Sequence, residues 1–260
     1  MTTSMEQFKD LFSAGDPMIR EKFLLKTITP MITIVSSYVF FVKVIGPAIM
    51  EKRKPIDIRR IMIFYNFSLA FFYVYLIVKG VQFVPKLGFS FFCGALDSQN
   101  PVVADFFALG YEMYVVRYIE LLDTVFLVLS KKFNMITPLH VFHHAVVPIF
   151  GWLGFRTETS AYLSVFIGIN GFVHVVMYTY YAIASLGPYY QKYLWWKKYL
   201  TSLQILQFLF MTLYLLFMSA IGCITSKITF AICVFLNVFF FFLFVNYYRR
   251  TFLTDENKEK

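Results

Sequence analysis

Three histidines stand within five residues of this chain: His140, His143 and His144, at i, i+3 and i+4. On a helix that spacing puts all three rings on one face. Imidazole is a nucleophile, and it also carries protons near neutral pH. Three together could hold a covalent acyl group on one ring while the others move protons. They could also bind a transition metal. The remaining histidine, His174, comes one turn after Asn170 and is followed by Met177, Tyr178, Tyr180 and Tyr181. Arg117, Glu120 and Asp123 recur at intervals of three ahead of Thr124, and Thr201, Gln204 and Gln207 repeat that interval. Each group has a plain structural reading. One buried histidine in a helical bundle is usually a hydrogen-bonding residue; three on one turn argue for chemistry. Arg117, Glu120 and Asp123 read equally well as an ion-pair network that fixes helix packing. Gln204 and Gln207 read equally well as hydrogen bonding between helices.

The elements that carry these residues are apolar. The chain has 260 residues, 59% hydrophobic and 21% aromatic, with only 15% charged. A soluble domain carries about a quarter charged residues. A bilayer core of roughly 30 Å needs about 20 apolar residues per helix. Seven segments approach that length: 28–50, 61–79, 108–130, 136–154, 160–185, 199–221 and 226–248. The expected fold is therefore an all-α membrane protein, a single unit of seven transmembrane helices. The segment 108–130 is the weakest by hydropathy, because it holds Arg117, Glu120 and Asp123. Between the second and third, the aromatic stretch Phe89–Phe92 could insert part-way. The first 27 residues mix charges without an apolar core, so no signal peptide is expected.

Charge placement orients the expected helices. If seven spans alternate, fourteen basic residues fall on one side: five in loop 51–60, then Lys131, Lys132, Lys192, Lys197, Lys198, Arg249, Arg250, Lys258 and Lys260. Eight fall on the other. The positive-inside bias puts the C-terminus in the cytosol and the N-terminus across the membrane. The net charge of +9 thus reads as a topology signal, and no nucleic-acid partner is expected.

Depth links the polar groups. At 1.5 Å per residue, Glu120 and Asp123 lie about 10–15 Å in from the cytosolic ends of their span, and the histidine triplet roughly 6–12 Å. His174 lies about 16 Å in, and Gln204 and Gln207 about 8–12 Å. Ionisable residues inside a span are costly and ordinarily face a cavity or a partner. One layer in the cytosolic half points to one polar site opening towards the cytosol.

Metal and acyl chemistry both fit a His-x-x-His-His box. Membrane di-iron oxygenases, as a family, carry several such boxes, whereas this chain has four histidines in all. They could hold a single ion with help from Glu120 or Asp123. Metal-free acyl transfer needs only the imidazoles, and no metal or cofactor is expected. Cysteine is the rival nucleophile for thioesters. Yet Cys93, Cys223 and Cys233 fall at or near the far side from the polar layer, and their spacing suits neither a metal knuckle nor a disulfide framework. A seven-helix receptor or lipid transporter would leave the histidine layer without a purpose.

Taken together, these motifs resemble the ELO family of very-long-chain fatty acid elongases. His140-Val-Phe-His143-His144 is similar to the family's histidine box. Arg117-Tyr-Ile-Glu120-Leu-Leu-Asp123-Thr124 is similar to its Lys-x-x-Glu-x-x-Asp motif, with Arg in the Lys position. The Asn170–Tyr181 and Thr201–Gln207 segments match two more. Four motifs in order are far more specific than one box. Arg117 is forked and bulkier than Lys. Pro138 stands where the family has an aromatic residue, and Ser130-Lys131-Lys132 departs from Arg-Lys-Lys. Lys258 is third from the end but Asn257 is fourth, an incomplete dilysine retrieval signal.

The resemblance implies a 3-oxoacyl-CoA synthase, whose bundle encloses a tunnel for the acyl chain. Its substrates would be a long- or very-long-chain acyl-CoA and, as co-substrate, malonyl-CoA. It implies His143 as the acyl-accepting nucleophile, with His140, His144, His174 and Asn170 as supporting catalytic groups. It implies substrate contacts from Arg117, Glu120, Asp123, Tyr178, Tyr181, Gln204 and Gln207. Endoplasmic-reticulum residence, neighbouring reductases and a dehydratase, and a homodimer also come from the resemblance.

Overall fold

The computed structural model describes residues 17–87, 93, 99–157, 161–224 and 226–253. All regular structure among them is helical. The helices are α1 (Pro17–Arg20), α2 (Phe23–Lys26), α3 (Ile28–Glu51), α4 (Arg59–Leu87), α5 (Pro101–Ile119), α6 (Leu122–Leu129), α7 (Pro138–Thr157), α8 (Tyr162–Ser185), α9 (Lys197–Ala220) and α10 (Lys227–Tyr248). The chain divides into two units, residues 1–58 with 95–159, and residues 59–94 with 160–260.

Among the described residues, five helices are long and apolar enough to cross a membrane: α3, α4, α8, α9 and α10 with its extension to Leu253. These match five of the seven expected spans. The other two expected spans are helical, but their polar residues keep them out of that class. The 108–130 segment is also broken. It forms α5 and α6, joined at Glu120 and Leu121. There the ladder tightens: the Leu121 N–H donates to the Tyr118 carbonyl and the Asp123 N–H to that of Glu120. The dihedrals, −61°/−19° and −60°/−24°, are those of a 3₁₀ turn. The break falls inside the Arg117–Asp123 motif, so charge and irregular backbone coincide. The Phe89–Phe92 stretch, the C-terminal lysines and Ser160 lie outside the described residues.

In the first unit, α3 carries a π-helical turn over Phe41–Ile45. Its cause is local. Pro47 has no N–H to return to Lys43, and the Gly46 N–H bonds instead to the Phe41 carbonyl. Gly46 is required by packing: a Cβ there would meet Val128 Cγ1 at 2.7 Å and the Phe41 carbonyl oxygen at 2.9 Å. This close approach seats Tyr38, Val42 and Met50 of α3 against Leu121 just ahead of α6, Val128 of α6 and Val141 of α7. The ends of α3 and α6 lie together, since Lys131 Nζ donates to the Glu51 carbonyl at 3.1 Å.

In the second unit α4 and α8 pack antiparallel. Arg59 at the start of α4 donates from Nε to the Ser185 carbonyl at 2.9 Å and from Nη2 to the Leu186 carbonyl. A cation there satisfies carbonyls the helix end leaves open and suits the negative end of its dipole. Gly187 follows at φ 112°, left-handed backbone that places the Arg59 guanidinium where a Cβ would stand. At the other end, Cys93 and Cys223 form a disulfide, with Cα atoms 4.8 Å apart. This corrects the sequence-based expectation that no cysteines pair. The partners are 130 residues apart, one following the end of α4 and the other the end of α9. Cys233 is free.

Candidate active site

The histidine box forms the first two turns of α7. Thr137 precedes it and accepts a hydrogen bond from the His140 N–H at 3.2 Å. Pro138 follows at the first helical position, where its missing N–H costs nothing. The Pro138 departure from the family pattern is therefore absorbed by a Thr–Pro helix start. The box rings line up as the i, i+3, i+4 spacing requires: His140 to His144 is 4.5 Å between ring centroids, and His143 to His144 is 5.8 Å, edge-on.

Two other elements fix His140. Thr124, on the first turn of α6, has Oγ1 2.9 Å from His140 Nε2. The Tyr38 hydroxyl of α3 lies 2.8 Å from the same Oγ1. Thr124 is wholly buried, and Tyr38 is 6% exposed. The Tyr38 ring also faces His144, at 6.5 Å. Thr124 was legible as the end of its motif, but Tyr38 was not flagged by any spacing.

Arg117 and Glu120 straddle the α5–α6 junction. Their ion pair is 3.1 Å long, and both side chains are buried. Asp123 is half-buried on the first turn of α6. Here the ion-pair reading of the motif and the geometry agree for Arg117 and Glu120.

The second unit holds the other candidates. His174 is buried, with the Tyr73 ring at 5.0 Å and the Tyr178 ring at 5.8 Å. Tyr73 and Tyr178, both fully buried, stack at 6.0 Å and 11°. Tyr181 is exposed and meets Tyr178 edge-on at 6.1 Å. Asn170 Nδ2 donates to Gln207 Oε1 at 3.3 Å, and Gln204 Nε2 lies 3.8 Å from Met177 Sδ. Thus the Asn170–Tyr181 and Thr201–Gln207 motifs interlock between α8 and α9. Tyr73 is the aromatic neighbour that sequence reasoning missed. Among the described residues, no group of three or more His, Cys, Asp or Glu is placed to hold a metal ion.

Residues 23–260 match the family model described as "ELO: GNS1/SUR4 family". The chain belongs to the ELO family. Among relatives of this ELO-family chain is "Very long chain fatty acid elongase 7" of Rattus norvegicus, 41% identical over 202 residues, covering 77% of this chain and 72% of that one. "Very long chain fatty acid elongase 7" of Drosophila melanogaster is 33% identical over 263 residues, covering 100% and 80%. "Very long chain fatty acid elongase 1" of Homo sapiens is 33% identical over 256 residues, covering 97% and 91%. The matched range runs past the positions of all four motifs, of Tyr38, Thr124 and His140, and of Cys93 and Cys223.

Proposed function

We propose that this protein elongates long- or very-long-chain fatty acids by condensing an acyl-CoA with malonyl-CoA. The products are a 3-oxoacyl-CoA two carbons longer, CO2 and free CoA. The observation that carries the reading is the ring cluster on α7 in a chain whose relatives bear elongase names.

In this reading an imidazole nitrogen of His143 attacks the thioester carbonyl. The carbon–sulfur bond breaks, an acyl-imidazole forms, and CoA leaves as a thiol with a proton delivered by a neighbouring imidazole. Malonyl-CoA then loses CO2, its electron pair forms the new carbon–carbon bond, and the imidazole departs as it takes up a proton from water through a neighbouring imidazole. An acyl-imidazole suits this because it splits one hard step into two. His140, His144, His174 and Asn170 place groups and carry protons. Arg117, Glu120, Asp123, Tyr178, Tyr181, Gln204 and Gln207 bind substrate or hold those that do. The mechanism requires no metal or cofactor.

The same reading takes seven spans around an acyl tunnel in the endoplasmic-reticulum membrane, with a cytosolic C-terminus. The helix α7 has 20 residues, about 30 Å at 1.5 Å per residue, which suits a bilayer core. A Cys93–Cys223 disulfide suits an oxidising lumen. Side chains towards the lumenal ends would set chain length, because the head chemistry is fixed near the cytosol. Reductases and a dehydratase would consume the 3-oxo product.

The test is expression with a panel of fatty acids and analysis of product length. The His143→Ala protein should lose malonyl-CoA-dependent elongation. Wild-type elongation by that variant would remove His143 as nucleophile, and an unchanged fatty-acid profile with the wild-type chain would remove the function.

A further inference from the structure

We propose that the segment joining α8 to α9 is a docking surface for the anionic headgroups of phospholipids. Lys192, Lys197 and Lys198 meet the headgroups, and Trp195 anchors the segment in the membrane interface. The proposal concerns the lipid around the protein and is independent of the proposed reaction.

The segment is short and held at both ends. At its start, Arg59 donates to the Ser185 and Leu186 carbonyls, and Gly187 turns the chain at φ 112°. A 3₁₀ helix follows over Pro188–Tyr193. In that geometry residues three apart eclipse one another, which brings Lys192 over Tyr189. The Lys192 ammonium lies 4.5 Å from the Tyr189 ring centroid and 5.0 Å from that of Tyr193. Buried Leu194 pins the far end. The next residues turn outward again: Trp195 is 74% exposed and Tyr199 65%, packed edge-on at 5.9 Å. Tyr189 is 70% exposed. Connections between helices are ordinarily polar. This one shows large rings instead.

Its charge has one sign. The described residues of the second unit include no Asp or Glu. Yet one end of that unit carries Arg60, Lys192, Lys197, Lys198, Arg249 and Arg250. Phe208 of α9 packs on Phe240 and Phe244 of α10, so these two helices run antiparallel and Arg249 and Arg250 lie at the same end as Lys197. The lysine donors therefore find no carboxylate within their own unit, and the surface calls for an anionic partner.

Height selects a lipid as that partner. α8 and α9 each have 24 residues and are apolar enough to span. At 1.5 Å per residue each is about 36 Å long, so the segment between them lies at the level of the headgroups. Tyrosine and tryptophan rings settle there, with an apolar body in the lipid and a polar tip in water. Lysines beside them gain from an anionic surface.

The experiment places the full chain in nanodiscs of phosphatidylcholine with a minority of phosphatidylserine and reads tryptophan quenching by shallow brominated acyl chains. In one preparation the phosphatidylserine alone is brominated; in the other an equal share of the phosphatidylcholine is. The chain has three tryptophans, and the difference from Trp195→Phe isolates the Trp195 emission. The serine lipid should quench Trp195 about twofold or more strongly than the choline lipid, and at about 1 M salt, where the Debye length is about 3 Å, the two should become equal. The variant Lys192→Gln/Lys197→Gln/Lys198→Gln should show equal quenching at low salt, with a wild-type unfolding midpoint. The salt arm decides the matter in the wild-type chain if that variant does not fold. Equal quenching by the two lipids in the wild type at low salt, an unquenched Trp195, or a preference that survives in the lysine variant overturns the proposal. Equal quenching together with a raised KM for acyl-CoA in the lysine variant also overturns it, and gives the lysines to the phosphates of a soluble substrate.

Discussion

Arg117 and Glu120 form a buried ion pair 3.1 Å long at the point where α5 gives way to α6. Breaking such a pair leaves a charge with no compensation and costs about 3–5 kcal/mol, whereas replacing both partners with apolar residues is close to neutral. Arg117→Met should therefore unfold much more readily than the wild type in detergent. The double variant Arg117→Met/Glu120→Leu should recover most of that loss. Its activity separates the two readings of the motif. A stable, active double variant makes the pair structural; a stable, inactive one gives it a part in binding or chemistry.

The Cys93–Cys223 link should appear as a mobility difference between reduced and non-reduced protein that vanishes in Cys223→Ser. Removing a native disulfide typically costs about 2–5 kcal/mol. The variant should unfold at a lower temperature, while Cys233→Ser should not.

Gly46→Ala should destabilise by about 1–3 kcal/mol, because the new methyl must push Val128 or the Phe41 carbonyl aside. Val128→Ala in the same chain should recover only part of it. The second obstacle is backbone and cannot be trimmed.

Dialysis against a strong chelator should leave condensation unchanged if imidazole alone does the chemistry. Loss of activity that returns with one added metal would favour a metal centre instead.

Much of the helical plan could be read in advance. The expected 160–185, 199–221 and 226–248 segments appear as Tyr162–Ser185, Lys197–Ala220 and Lys227–Tyr248. Long apolar runs are a strong signal. The break at Glu120 was not legible, since hydropathy reports where a helix is costly but not where its hydrogen bonds tighten. Spacing found the histidine box because i, i+3, i+4 is a local relation. It could not find Tyr38 or Tyr73, two of 18 tyrosines, because their partners are set by tertiary contact. The cysteine pair was missed for the same reason.

The Arg59 clasp on the end of α8 has a consequence for biosynthesis. Arg59 and Ser185 are 126 positions apart. At translation rates of about 5–20 residues per second, α4 enters the membrane roughly 6–25 s before its partner helix is complete. Through that interval Asn66 and Tyr73 lack the surface they finally bury against, and Arg59 lacks the carbonyls to which it donates. The nascent chain therefore passes through a stage in which a helix already in the bilayer shows polar and aromatic groups to lipid. That stage is where an insertion chaperone, or premature degradation, would act on this protein.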